Sequence, residues 1–335
     1  MTMSLLRTAG VLLLPLLTIG SCAPDAPSAG ADGEEASAPG ASADARNAVD
    51  TVRVRFETVQ EIEAFFDEVG YGPDHWAAGV REVPRMYVTQ VGERWQQRAR
   101  DSITVQAKKR IFFRAMAPLA LHSNELIRAE REQLLALPAS AALEEADREW
   151  LAELAGDYGV EVPGGSPGED RAAWDALREE LSLRVDEVPV SLVLAQAANE
   201  SGWGTSRFAG EGNALFGQWS FGGSGMLPEA QRESLGDYRV AAFESPLLSV
   251  IAYMRNLNTH RSYARLRALR AAARVAGDTP RGMELAAGLD RYSERGQEYV
   301  DEIRSMIEYN GLEDTDDTYL ASGPVYLVLP ADVEG

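Results

Sequence analysis

Cysteine occurs once in the 335 residues, at position 22, so no intramolecular disulfide can form and no zinc site built on thiolates is possible. Histidine occurs three times. His75 and His122 are isolated, with no second ligand type at i+3 or i+4, and are read as structural. Lysine is confined to Lys108 and Lys109, and the 52 acidic residues outnumber the 32 Lys and Arg to leave a net charge of −20. That balance gives no cationic face for a phosphate backbone, so nucleic acid is not an expected partner. The chain has no His-Glu-x-x-His pattern, no Gly-x-Ser-x-Gly elbow and no Gly-rich phosphate loop before a helix. Carboxylate chemistry remains, with no cofactor and no metal called for.

Long hydrophobic runs are also missing. Arg7 precedes an apolar run over residues 9–19 that is too short to span a bilayer and is interrupted by Pro15, the pattern of an export signal. The run ends in Ile19-Gly20-Ser21-Cys22, which resembles a bacterial lipobox. Residues 1–22 are therefore read as a lipoprotein signal peptide and Cys22 as the lipidated residue. Ala23, following Cys22 where an Asp would retain the protein, implies an exported protein anchored in the outer membrane and facing the periplasm. Residues 23–50 are dominated by Ala, Ser, Pro, Gly and Asp without aromatic or periodic apolar positions, and are read as a disordered tether.

What is present is globular in balance, 45% hydrophobic and 25% charged. Over residues 51–185 apolar positions recur at helical spacing: Ile62, Phe65 and Phe66, then Ile111, Phe112, Met116 and Leu119, then Ile127, Leu134 and Leu135. This region is expected to be entirely helical, with Pro118 kinking or breaking its longest segment. Helices continue beyond Pro189, interrupted over residues 218–240 by a Gly- and aromatic-rich stretch expected to form a hairpin or irregular lobe. Residues 313–335, with the acidic Glu313-Asp-Thr-Asp-Asp317 and the strand-like 325–329, are read as a solvated acidic tail.

One stretch concentrates the chemistry. Residues 191–200, Ser-Leu-Val-Leu-Ala-Gln-Ala-Ala-Asn-Glu, are apolar around nearly the whole helical circumference, which marks a buried helix. Ser191 is placed to cap its start and Gly202 to end it in a left-handed conformation. Glu200 then sits on the last turn, where burial and the carbonyl ends of the helix both disfavour its charged form. A carboxyl kept protonated near neutral pH is what a general acid needs to protonate a departing glycosidic oxygen. Trp203, Phe216, Trp219 and Phe221 follow among glycines, a combination suited to holding sugar rings.

Residues 189–221, "PVSLVLAQAANESGWGTSRFAGEGNALFGQWSF", resemble the Bax-like branch of the glucosaminidase family of peptidoglycan hydrolases. "NLNTHRSYARLR" at 256–267, "YSERGQEYVDEI" at 292–303 and the segment around "KKRIFFRAMAPLALHSNELIRAER" carry the same resemblance. It implies a mainly α fold: a lysozyme-like helical catalytic domain over 186–312 with a small β or irregular lobe, preceded by the helical N-terminal region. It implies an endo-β-N-acetylglucosaminidase cutting the β-1,4 bond between N-acetylglucosamine and N-acetylmuramic acid in peptidoglycan glycan strands. Glu200 matches the general acid and Tyr292 the tyrosine lining the cleft. Asn213 and Phe216 match the segment after the catalytic helix, and His260 belongs to the Asn-Thr-His motif. Trp203, Trp219, Phe221 and His260 complete the expected substrate-binding set. A two-acid mechanism needs a second carboxylate about 5 to 10 Å from Glu200, and Glu229, Glu233 and Asp237 in the lobe are candidates; otherwise the 2-acetamido group of the substrate serves. A lytic transglycosylase and a non-catalytic murein-binding scaffold lipoprotein are the alternative readings.

Overall fold

The computed structural model describes residues 50–330, apart from 102, 222–224 and 229–237. Cys22, the tether, Glu229, Glu233 and Asp237 thus lie outside the described residues. The described chain runs β1 (Thr51–Arg55), α1 (Val59–Glu68), α2 (Pro73–Ala77), β2 (Glu82–Val88), α3 (Glu93–Asp101) and α4 (Val105–Ala136). It continues through α5 (Glu145–Asp157), α6 (Arg171–Arg184), α7 (Val190–Ser201) and α8 (Arg207–Gly212). The hairpin strands β3 (Trp219–Phe221) and β4 (Tyr238–Val240) follow. The chain ends with α9 (Pro246–Thr259), α10 (Ala264–Ala276), α11 (Gly282–Leu285), α12 (Gln297–Tyr309) and β5 (Tyr319–Leu329). The fold is mainly α, as a lysozyme-like helical domain requires.

Two sequence expectations are corrected at the chain ends. The N-terminal region is not entirely helical, because β1 and β2 flank β5 in a three-stranded sheet of order β1-β5-β2. Both pairings are parallel, with Thr51 opposite Val325 and Val88 opposite Val328. The segment read as a solvated tail is therefore the central strand. β2 tolerates Pro84 because the register shifts between Val83 and Arg85, a bulge position at which no ladder amide is required. Arg85 donates both terminal nitrogens to Glu125 at 2.7 Å, tying the sheet to α4.

The long helix α4 runs through Pro118 without a break over 32 residues. Proline removes one helical amide, but Met116, Ala117, Leu119 and Ala120 around it are all buried, and that packing offsets the loss. Behind α7, Asp186 is 3% exposed and meets the fully buried Arg270, whose guanidinium burial lowers to about 10. Arg274 reaches the same carboxylate at 2.9 Å. Asn258 donates to the Asp186 carbonyl at 3.0 Å and accepts from Arg270 at 2.8 Å. These contacts staple the segment that leads into α7 to α9 and α10.

Helix α7 packs against α4, α11 and α12, and ten of its twelve residues are buried. Ser191 does not cap it. Asp316, from the acidic motif, accepts the Ser191 amide at 2.8 Å, the Ser191 hydroxyl at 2.9 Å and the Gly282 amide at 2.9 Å. A carboxylate facing the first turn satisfies orphan donors and complements the helix dipole.

Candidate active site

The expected Gly202 terminus is present, at φ 57° and ψ 45°. Trp203 and Gly204 follow at φ 64° and 74°, so the chain turns through three successive left-handed residues. Such a conformation is costly for tryptophan. Its ring offsets the cost by packing edge-on against Phe112 and Phe113, with centroids 5.8 and 5.1 Å away, while Lys109 lies 5.1 Å from it. A Cβ on Gly204 would come within 3.0 Å of Trp95, which donates to the Trp203 carbonyl at 3.1 Å. Ser201 closes the turn, its hydroxyl donating to Ala197 and accepting from Gly204.

Glu200 stands at this helix end, half-buried. Burial raises its carboxyl above the ordinary glutamate value. Hydrogen bonds from Tyr299 and Asn199 and the positive charge of Arg295 act in the opposite direction. The Tyr299 hydroxyl donates to Oε1 at 2.6 Å, and Asn199 Nδ2 makes a longer 3.4 Å contact to the same oxygen. Tyr299 accepts in turn from Gln196 Nε2 at 2.9 Å, and Gln196 Oε1 accepts from Tyr253. Gln196 is one helical turn before Glu200, so both project from the same face of α7.

The aromatic surroundings form a second layer. Tyr292 stacks on Tyr299 with centroids 5.1 Å apart and planes 9° apart, and donates to the Phe216 carbonyl at 3.2 Å. Phe216 stacks on Tyr253 at 3.8 Å, and Tyr263 lies 6.0 Å from Tyr292. His260 caps the turn before Tyr263, its Nδ1 accepting the Ser262 amide at 3.3 Å. Burial and then Arg261 and Arg267 lower its pKa.

The structure thus brings Tyr292, Phe216 and, through Tyr263, His260 together around Glu200. It does not bring in two of the expected sugar contacts. Trp203 turns its ring toward α4, and Asn213 is buried as a clamp, accepting from the Val91 amide and donating to the Phe243 carbonyl at 3.0 Å each. Trp219 is 48% exposed on β3, whose Phe221 pairs in backbone with Tyr238. Tyr299, Gln196 and Tyr253 were missed by sequence reasoning. Gln196 carried a signal, as a polar residue in a wholly apolar run, and Tyr299 lay within a quoted motif. Among the described residues no cluster of three or more His, Cys, Asp and Glu is arranged to hold a metal ion, and no helix is long and apolar enough to cross a membrane.

The site is thus the end of a buried helix that carries one desolvated carboxyl beside stacked tyrosines. Residues 178–312 match the glucosaminidase family, described as mannosyl-glycoprotein endo-beta-N-acetylglucosaminidase. The chain is 33% identical over 203 residues to Protein bax of Escherichia coli (strain K12), covering 61% of this chain and 70% of that protein. The chain belongs to the glucosaminidase family, in its Bax-like branch, and carries a glycosidase-type domain. No solved structure matches it.

Proposed function

We propose that the protein is a peptidoglycan hydrolase, an endo-β-N-acetylglucosaminidase that cleaves the β-1,4 bond between N-acetylglucosamine and N-acetylmuramic acid with Glu200 as general acid. The observation that carries the reading is the position of Glu200: a carboxyl on the last turn of a buried helix, its proton held more tightly by desolvation. In the reaction Glu200 transfers that proton to the glycosidic oxygen as the bond to the anomeric carbon breaks, and water adds to that carbon. The leaving sugar departs as an alcohol and Glu200 is left ionised. The group that activates the water, or first attacks the anomeric carbon, is drawn from the lobe carboxylates Glu229, Glu233 and Asp237 or from the 2-acetamido group of the substrate. Tyr292 supports the cleft wall, and the exposed Trp219 offers a sugar-stacking face.

We place the enzyme outside the cytoplasm. Cys22 is its lipid anchor in the outer membrane, and residues 23–50 give the domain reach to the glycan strands from the periplasmic side. The test of the activity is lysis of murein by Glu200→Gln, which retains shape and loses the acid. The variant is expected to be inactive while unfolding within a few degrees of the parent. Retained lysis would sink the assignment. Mass spectra of the products decide the bond and the chemistry together, since hydrolysis leaves reducing N-acetylglucosamine ends and a transglycosylase leaves 1,6-anhydro-muramic ends.

A further inference from the structure

The polar groups buried at α7 form one continuous chain of hydrogen bonds with a single direction. Tyr253 donates to Gln196 Oε1, Gln196 Nε2 donates to Tyr299, and Tyr299 donates to Glu200 Oε1. A carboxamide oxygen only accepts and its nitrogen only donates, so Gln196 sets the direction of the other two links. Because its oxygen lone pairs face Tyr253 and its N–H faces Tyr299, the Tyr299 proton is left to point at Glu200. Gln196 and Tyr253 are fully buried and Tyr299 nearly so, and in that setting aligned donors polarise one another. Asn199 adds a second donor to Oε1. Both donors therefore converge on one oxygen of the carboxyl, and Oε2 receives neither.

Resting on the reading of Glu200 as the general acid, we propose that Tyr299, oriented by the Tyr253–Gln196 pair, is a positioning residue that fixes the catalytic proton on Glu200 Oε2 and aims that oxygen at the glycosidic bond. With Oε1 occupied as an acceptor, the acid proton resides on Oε2. When it leaves, the charge that develops on the carboxylate is met by a donor already in place, without reorganisation. The stack of Tyr292 on Tyr299 holds the hydroxyl in line.

Among the described residues, the charged and titratable groups around Glu200 are Tyr299 and Glu302 of α12, Arg295 before that helix, Tyr292, Tyr253 of α9 and Tyr263. Arg295 and Glu302 pair with each other at 2.5 Å, and among the described residues Tyr299 makes the shortest hydrogen bond to the carboxyl.

The test measures new reducing ends from soluble murein glycan strands across pH, with the full chain and the variants Tyr299→Phe, Gln196→Leu and Glu200→Gln. Tyr299→Phe keeps the ring and removes the donor. Its kcat is expected to fall roughly 10- to 100-fold, the scale of one hydrogen bond to a charged group, with KM within about twofold. A donor to the ionised form lowers a pKa, so its loss raises that of Glu200. The alkaline limb of kcat should then move up by about one pH unit. Gln196→Leu should shift the limb the same way by less, and it carries the test if Tyr299→Phe fails to fold by circular dichroism. The carboxyl stretch that titrates in the parent and is absent from Glu200→Gln should shift upward likewise, with no substrate present. An unchanged limb and stretch overturn the proposal. So does a downward shift, which would mean that Glu200 donates to Tyr299 and holds its proton on Oε1. Glu200→Gln that still lyses murein overturns the functional reading alone, whereas an inactive Glu200→Gln beside an unaltered Tyr299→Phe overturns only the relay.

Discussion

Replacing Asp316 by alanine tests whether the acidic 313–317 motif helps to hold α7 and α11 in place. In the structure this carboxylate receives three donors, two from Ser191 at the first turn of α7 and one from Gly282 at the start of α11. Ser191 is fully buried and Gly282 is buried. Losing a helix-capping acceptor costs about 0.5 to 2 kcal/mol, and a buried donor left unsatisfied costs about 1 to 3 kcal/mol. Water entering the vacated polar space recovers part of this, so a net loss of about 3 kcal/mol is expected. At roughly 2 to 4 °C per kcal/mol for a chain of this size, Tm should fall by about 6 to 12 °C in thermal unfolding followed by circular dichroism. The control is Asp317→Ala. That carboxylate is 53% exposed and pairs at 2.8 Å with Arg281, itself 38% exposed, a surface pair worth at most about 1 kcal/mol. If Asp316→Ala unfolds no earlier than Asp317→Ala, the clamp contributes nothing and the reasoning fails.

Two further predictions follow from the site. Burial raises the Glu200 pKa in the folded state, so the folded protein binds that proton more tightly than the unfolded chain, and stability declines as pH rises from the unfolded value through the folded one. Glu200→Gln should therefore unfold at the parent's temperature below about pH 4 and later than the parent at neutral pH, and a constant difference across pH in calorimetry would refute the raised pKa. The two tryptophans should separate by function: Trp203→Ala, which strips the ring from Phe112 and Phe113, should cost about 2 to 3 kcal/mol with KM unchanged. Trp219→Ala should raise KM roughly 3- to 10-fold and move Tm by less than about 2 °C; the opposite pattern in steady-state kinetics and melting would reverse these roles.

Helix α7 was legible because its signals are local. An apolar run around the full circumference, a lone terminal Glu and a following glycine specify a buried helix that stops at Gly202, and each lies within a dozen residues. The partners of Glu200 were not legible as partners, because Tyr299 comes from α12 and Tyr253 from α9, and hydrogen bonds across such separations leave no periodic trace. The sheet failed for the same reason from the other side. Thr51–Arg55 alternates Val with Thr and Arg, but five residues of alternation carry little weight, Pro84 argues against a strand in β2, and the strand that joins them lies at the far end of the chain. Asp316 was hidden by composition: in an acidic run a single buried carboxylate cannot be told from its exposed neighbours.

The same helix treats its two terminal carboxylates in opposite ways. At the N-terminal end, Asp316 faces free amides and a positive dipole end, and burial, which pushes its pKa up, is opposed by donors from Gly282 and Ser191. At the C-terminal end, Glu200 faces carbonyls and has one short hydrogen bond and one long one to set against its burial. The first arrangement serves an anion that holds the helix in place. The second, under the proposed function, serves a proton that must be kept until the substrate takes it and an anion that must then be tolerated. Too many donors would ionise Glu200 early, and none would make the anion left after transfer prohibitively costly. A single tyrosine, held by a glutamine and aimed at one oxygen, lies between those limits, and α7 is fixed firmly enough at its other end for that aim to be kept.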